Sequence, residues 1–172
     1  MKAIVVYESM FGNTERVASA IADGLRRTVD TDLVEIGSIR ADAAGRVDLL
    51  VVGGPTQGFS LSRKASKGTA AKVPPGREFA GGGLREWIEA LPDTRHVEFV
   101  AFDTRFRKPW WLTGSAARAV ASRLRRKGYG QIAPPESFFV THAAGPLFDG
   151  EAARAKAWGG ALGERFALRP AA

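Results

Sequence analysis

The sequence predicts an α/β protein built on a doubly wound, five-stranded parallel sheet in the order 2-1-3-4-5. Short apolar runs alternate with amphipathic helical patterns, which implies right-handed crossovers between parallel strands. The runs at residues 4–7 and 49–52 are continuously apolar, as expected for strands covered by helices on both faces. In such sheets ligands bind beyond the carboxyl ends of the strands, where the winding direction reverses. We therefore expect function in the loops 8–14, 53–61 and 103–111.

The individual elements follow from the same patterns. The predicted strands are residues 4–7, 33–36, 49–52, 97–102 and 137–141. The second and fifth strands carry more polar residues than the others, which suits the edges of the sheet. The predicted helices are residues 15–27, 84–91, 116–126 and 151–166. Ser115 is a typical N-cap for the third helix, and three basic residues near its end suit the negative end of the helix dipole.

Length and composition limit the possible classes of protein. The chain has 172 residues, of which 45% are hydrophobic and 25% charged, so one globular domain spanning residues 1–172 is expected. The absence of cysteine excludes disulfides, thiolate metal sites and thiol nucleophiles. Without a membrane-length apolar run or a secretory signal, the expected location is cytoplasmic. Residues 60–83 are rich in Gly, Pro and Lys without periodicity, which predicts an extended loop or flap after the third strand.

The loop after the first strand carries the clearest chemical signal. Ser9, Asn13 and Thr14 offer short polar side chains there, and Gly12 allows close approach of a ligand. Free amides at the start of the following helix favour an anion such as phosphate. No Gly-Lys-Ser/Thr of a Walker loop follows, and only one glycine is present where a Rossmann fingerprint needs three. A capped turn without a ligand is the alternative interpretation.

A longer stretch of sequence around this loop resembles a known family. Residues 5–21, VVYESMFGNTERVASAI, are similar to the flavodoxin signature over their whole length. The resemblance implies a flavodoxin-like fold and a loop that holds the phosphate of FMN. The residues that it assigns to the phosphate are Ser9, Met10, Phe11, Gly12, Asn13 and Thr14.

Two further loops would hold the flavin ring by the same resemblance. Residues 53–59, GGPTQGF, look like the Gly-x-Pro-Thr segment that contacts the isoalloxazine, and the loop after the fourth strand would lie along its pyrimidine edge. The residues so assigned are Pro55, Thr56, Gln57, Gly58, Phe59, Asp103, Thr104, Arg105, Phe106 and Trp110. Main-chain N–H groups at 103–106 are expected to bond the ring, while Phe106, Trp110 and Trp111 compete for the stacking position. The acidic residues and Tyr usual in this loop of flavodoxins are absent.

The charge is basic, with 25 Lys and Arg against 18 Asp and Glu, a net charge of +7 and a pI near 10.2. Residues 61–77 and 105–127 together hold 13 of the basic residues and no acidic one. Flavodoxins are usually acidic, so the reversed sign predicts an acidic redox partner protein or an anionic substrate. A merely solvated basic surface is the alternative. Nucleic acid is disfavoured, because no stacking face or recognition-helix motif is present.

These observations favour an FMN-binding electron-transfer protein that shuttles electrons between redox partners. One alternative is an NAD(P)H-dependent FMN reductase acting on a quinone or another small acceptor. Another is a binding module of the same fold that lacks flavin. We expect no catalytic acid or base and no metal site, since the two histidines, His96 and His142, lie apart from any acidic cluster.

Overall fold

A computed structural model describes residues 1–44, 46–56 and 83–168. The strands of these residues form one sheet in the order β2-β1-β3-β4-β5, with all named pairs parallel and β6 also paired with β4. They are β1 (Lys2–Tyr7), β2 (Asp30–Glu35), β3 (Leu49–Pro55), β4 (Glu98–Phe106), β5 (Gly130–Gln131) and β6 (Glu136–Val140). The predicted fold class and strand order are confirmed.

The fifth position of the sheet is divided between two strands. β5 pairs with the start of β4 and β6 with its end, both on the edge that β3 leaves open. Between them stand Pro134 and Pro135, and proline has no N–H to donate to a ladder. The predicted fifth strand at 137–141 therefore corresponds to β6, whereas the two-residue β5 was not predicted.

Helices cover both faces of the sheet. They are α1 (Asn13–Leu25), α2 (Ala41–Ala44), α3 (Leu84–Ala90), α4 (Trp110–Thr113), α5 (Ala116–Arg126) and α6 (Glu151–Ala167). One hydrophobic cluster joins the sheet to α1 and α6, and the other joins it to α3 and α5. The four predicted helices are confirmed, while α2, α4 and a 3₁₀ turn at Ile36–Ser38 are too short to show a periodic pattern.

The central strands explain why their sequences are apolar throughout. Val5 and Val51 pack with α1 and α6, whereas Val6 and Val52 pack with α3 and α5. All four side chains are fully buried, because neither face of β1 or β3 meets solvent. Because both faces of these strands are covered, a ligand can reach them only at their ends.

Helices α1 and α6 touch through their backbones. A Cβ added to Gly159 would lie 2.2 Å from the carbonyl oxygen of Ile21, and one added to Gly24 would lie 2.2 Å from that of Lys156. Both distances are far shorter than any real carbon contact, so neither position accepts a side chain without moving a helix. This contact fixes α1, and therefore its first turn, against α6.

Two predictions from the sequence are not tested by the described residues. The predicted flap at 60–83 lies outside the described residues, apart from Gly83 at the N-cap of α3. The extent of the domain, residues 1–172, stays a prediction. Within the described ranges, no helix is both long enough and apolar enough to cross a membrane.

Two adjacent glycines of α6 provide a matched test of the helix contact. We expect Gly159→Ala to lower the free energy of unfolding by about 2 kcal/mol, because the new methyl group overlaps the backbone of α1. Gly160→Ala should leave stability within about 1 kcal/mol of the wild-type value, on the stabilising side, because helix propensity rises and the nearest atom is 3.8 Å away. Urea denaturation followed by circular dichroism measures both. Equal effects of the two substitutions would contradict the proposed contact.

Candidate functional site

The loop between β1 and α1 is closed by its own residues. Ser9 Oγ accepts a hydrogen bond of 3.1 Å from the amide of Gly12. Gly12 has a φ of 84°, a left-handed conformation that glycine adopts without strain, and it immediately precedes α1. An added Cβ at Gly12 would meet no atom within 4 Å, so the space above this turn is open.

The first turn of α1 faces that open space with uncapped amides. The first bond of the helix runs from Arg16 N to Gly12 O (3.0 Å), so the amides of Asn13 and Thr14 precede the helical ladder. The N-cap residue, Gly12, has no side chain that could cap the helix. Aligned peptide dipoles give this end a partial positive charge. With no Lys or Arg at 8–14, the turn offers an anion neutral donors.

The polar side chains of this turn are bonded inside the protein. Asn13 Nδ2 donates to the carbonyl oxygen of Ala144 (3.0 Å), in the loop before α6. The buried hydroxyls of Thr14 and Thr104 are 2.7 Å apart. Both bonds hold the first turn of α1 against neighbouring elements. Phe11, by contrast, is 39% exposed at the tip of the loop.

The structure corrects the expected position of residues 103–106, which belong to β4 and not to the loop after it. The sequence predicted that the fourth strand ends at residue 102, but β4 continues to Phe106 because β6 supplies pairing partners for Phe102–Phe106. Asp103 and Thr104 are consequently buried strand residues between β3 and β6, and not part of a loop. Thr104 lies against the first turn of α1, at the predicted phosphate end of the site.

Asp103 organises the neighbouring helix. Its Oδ2 atom accepts hydrogen bonds from the Thr56 hydroxyl (3.0 Å), the Ser115 hydroxyl (2.6 Å) and the amide of Ala117 (3.0 Å). The Thr56 hydroxyl in turn accepts from the amide of Ala116 (2.9 Å). A carboxylate at a helix N-terminus is stabilised by both hydrogen bonds and the helix dipole. Asp103 thus joins the end of β3 to the start of α5.

Arg105 shapes the segment that follows β4. Its side chain donates to the carbonyl oxygens of Phe106 and Lys108 and to the Ser137 hydroxyl. Beyond it, Phe106 and Trp110 are 42% and 46% exposed. Both remain candidates for ring stacking. Pro55 ends β3 beside β4 and Thr56 follows it, while Gln57, Gly58 and Phe59 lie outside the described residues.

Sequence reasoning missed two contributors to this edge, Glu8 and Ala144. It predicted Ser115 correctly as the N-cap of α5 but missed its bond to Asp103. Glu8 is buried and accepts a hydrogen bond of 2.9 Å from the amide of Leu84, at the start of α3. Ala144 and Ser115 join the network through Asn13 and Asp103. Each contact joins residues at least 12 positions apart in the sequence. The one local signal was the position of Glu8, a polar residue directly after β1. Among the residues described, no group of His, Asp or Glu is arranged to hold a metal ion.

Family comparison bears on this arrangement. Residues 5–73 match the flavodoxin family model. The match covers about two fifths of the chain. Flavodoxins bind FMN and transfer electrons. The matched residues include the end of β1, the Ser9–Gly12 turn, all of α1 and β3.

Solved structures agree on the fold over nearly the whole chain. A flavodoxin from the domain Archaea is 20% identical with a TM-score of 0.64, and the alignment covers 96% of this chain and 99% of that one. Oxidised flavodoxin 2 from Bacillus cereus is 16% identical with a TM-score of 0.66, covering 97% and 98%. A flavodiiron core, Flv1 from Synechocystis sp. PCC6803, is 17% identical with a TM-score of 0.65, covering 96% of this chain and 36% of the other. No curated protein matches the sequence.

The residues at the start of α1 suit the phosphate group of FMN. Two uncapped amides at a helix N-terminus match the acceptor oxygens of a phosphate, and the open space above Gly12 leaves room for it. The adjoining hydroxyl bond between Thr14 and Thr104 holds those amides over the ends of β1 and β4.

A cluster of charged residues holds β6 to the start of α6, next to the site. Glu151, at the start of α6, accepts hydrogen bonds from the amide of Phe139 (2.7 Å) and from Arg154 (2.7 Å). Arg154 also bonds Glu136 and lies 4.4 Å from the Phe138 ring centre. Burial alone would raise the pKa of Glu151, but hydrogen bonds from Arg154 and Phe139, with the charges of Arg154 and Arg107, lower the pKa below its usual 4.5.

The lowered pKa has a predictable effect on stability. A carboxyl whose pKa is depressed by folding stabilises the protein above its unfolded pKa, and this contribution disappears as the pH falls through the folded value. Glu151→Gln should therefore lower the free energy of unfolding by about 1 kcal/mol near pH 7, and by progressively less below about pH 4.5. Urea denaturation of both proteins from pH 3 to pH 7 measures the difference. A difference that stays constant over this range would contradict the assignment.

Proposed function

We propose that this chain binds FMN non-covalently and carries electrons between redox partners. The observation that supports this most strongly is the uncapped first turn of α1, held at the carboxyl edge of the sheet without any cationic side chain at 8–14. The family match covers this turn, and phosphate is the anion that flavodoxins bind through FMN.

In this proposal the two ends of the site have different tasks. The amides of Asn13 and Thr14 hold the phosphate, and the Ser9–Gly12 bond keeps the turn in shape. Thr56 positions the segment that leads to the predicted ring contacts Gln57, Gly58 and Phe59. Phe106 and Trp110 provide exposed aromatic surface for a flat ligand.

The chemistry of the proposed function needs little from the side chains. FMN, when bound, accepts and donates one or two electrons. The chain's part is to hold the cofactor in one orientation and to leave one edge accessible to a partner. We assign no residue to acid–base catalysis.

Thr104 offers a selective test of the phosphate end. Thr104→Val removes the hydroxyl that bonds Thr14 but keeps the shape of the side chain. We expect it to weaken FMN binding by about tenfold, because the first turn of α1 is less firmly held, and to change riboflavin binding by less than about twofold. Fluorescence titration of the apoprotein with each flavin measures the affinities.

The matched control is Thr31→Val, which removes a buried hydroxyl from β2, remote from the site. It should leave both affinities unchanged. Failure of the wild-type apoprotein to take up one equivalent of FMN would refute the proposed function. Equal weakening of FMN and riboflavin by Thr104→Val would refute the role of Thr104 at the phosphate.

The same FMN-loaded protein separates the proposed carrier from a reductase. A carrier should be reduced in two resolved one-electron steps during stepwise reduction and should not be bleached by NADPH or NADH alone. Direct bleaching by either nucleotide would instead support an NAD(P)H-dependent reductase.

A further inference from the structure

The segment after β4 exposes apolar side chains that nothing described covers. Helix α4 has no buried residue, and its Trp110, Trp111 and Leu112 are 46%, 73% and 58% exposed. Phe106, just before it, is 42% exposed. Large apolar side chains grouped in this way on a protein surface mark a binding site for another molecule. Because Phe106 and Trp110 are already assigned to the flavin ring, we call the two remaining residues, Trp111 and Leu112, the aromatic knob.

The segment that carries the knob is held in a fixed shape. Arg105 donates to the carbonyl oxygen of Lys108, and the amide of Gly114 donates to the carbonyl oxygen of Trp110. The Arg118 guanidinium lies 4.3 Å from the Trp110 ring centre, an attractive cation–π contact. A surface that is already ordered loses little conformational entropy when a partner binds.

Cations surround the aromatic knob. Arg107, Lys108 and Arg118 are exposed, and no carboxylate of a described residue lies within ion-pair distance of them. Arg107 instead stacks against Phe139 and Phe148, at 6.0 and 5.8 Å from the ring centres. Arg and Trp at the centre of a patch are the residue types that contribute most to protein–protein binding.

The position of the knob relates it to electron transfer. It follows β4 at the carboxyl edge of the sheet, where the first turn of α1 also lies. A partner docked there comes close to FMN held at that edge. A second copy of this chain is disfavoured, because the same cations would face each other on a protein of net charge +7.

We infer that the aromatic knob and its cations form the docking surface for an acidic electron-transfer protein. The inference rests on the proposed function. Trp111 is the apolar anchor, and Arg107 and Lys108 steer the approach of the partner's carboxylates. This reverses the arrangement in an acidic flavodoxin, whose own surface supplies the negative charge.

Stopped-flow reduction of the FMN-loaded protein tests the inference. The probe donor is a photochemically reduced, acidic plant-type [2Fe–2S] ferredoxin. The charge-reversed comparison is oxidation of the reduced, FMN-loaded protein by a basic, oxidised c-type cytochrome. We expect the second-order rate constant with ferredoxin to fall by about tenfold or more between 10 and 300 mM salt. Lys108→Glu should lower the low-salt rate severalfold, and Trp111→Ser should lower the rate at every salt concentration.

The control is Arg95→Glu, which makes the same charge change at an exposed position before β4, at the opposite end of the sheet. Its rate should remain within about twofold of wild type, because the substituted charge lies far from the docking surface. A salt-independent ferredoxin rate, or equal effects of Arg95→Glu and Lys108→Glu, would overturn the inference.

Two further outcomes keep the alternatives apart. Trp111-dependent sedimentation with phosphatidylglycerol vesicles, combined with a salt-independent ferredoxin rate, would assign the knob to a membrane surface and overturn the protein-docking inference. Failure of FMN uptake refutes the proposed function itself. Normal uptake with a salt-independent rate refutes only the docking surface.

Discussion

The position of one helical turn controls the arrangement at the carboxyl edge. The first turn of α1 lies over the ends of β1 and β4 because two constraints act on α1 from different sides. Backbone contact at Gly24 and Gly159 fixes the helix against α6, and the hydroxyl bond between Thr14 and Thr104 fixes its start against the sheet. The amides that open the helix are then held in place before any ligand arrives.

The basic side chains lie away from the proposed phosphate site. The proposed phosphate end offers uncharged donors and a helix dipole, while cations lie beside the aromatic knob and along the last turn of α5. At that far end Lys127 bonds the carbonyl oxygen of Leu91, before β4, and so has a structural task. In the proposed docking mode, the partner meets the cations at the carboxyl edge and not those along the last turn of α5.

The sequence predicted the sheet order and four helices, because each depends on local periodicity. The phosphate loop depends on a contiguous motif and stays a prediction. It did not predict that β4 continues through Asp103 and Thr104, since that extension depends on β6, more than 30 residues later. The bonds of Glu8 to Leu84 and of Asn13 to Ala144 were hidden for the same reason. Helix α4 has only four residues, too few to show a helical pattern in the sequence. The exposure of its tryptophans was therefore visible only in the structure.

A crystal structure of the FMN complex tests the central claim most directly. The account predicts phosphate oxygens within about 3.2 Å of the amide nitrogens of Asn13 and Thr14, with no Lys or Arg side chain in contact with the phosphate. A phosphate held by an arginine or lysine side chain, or bound away from the start of α1, would contradict it.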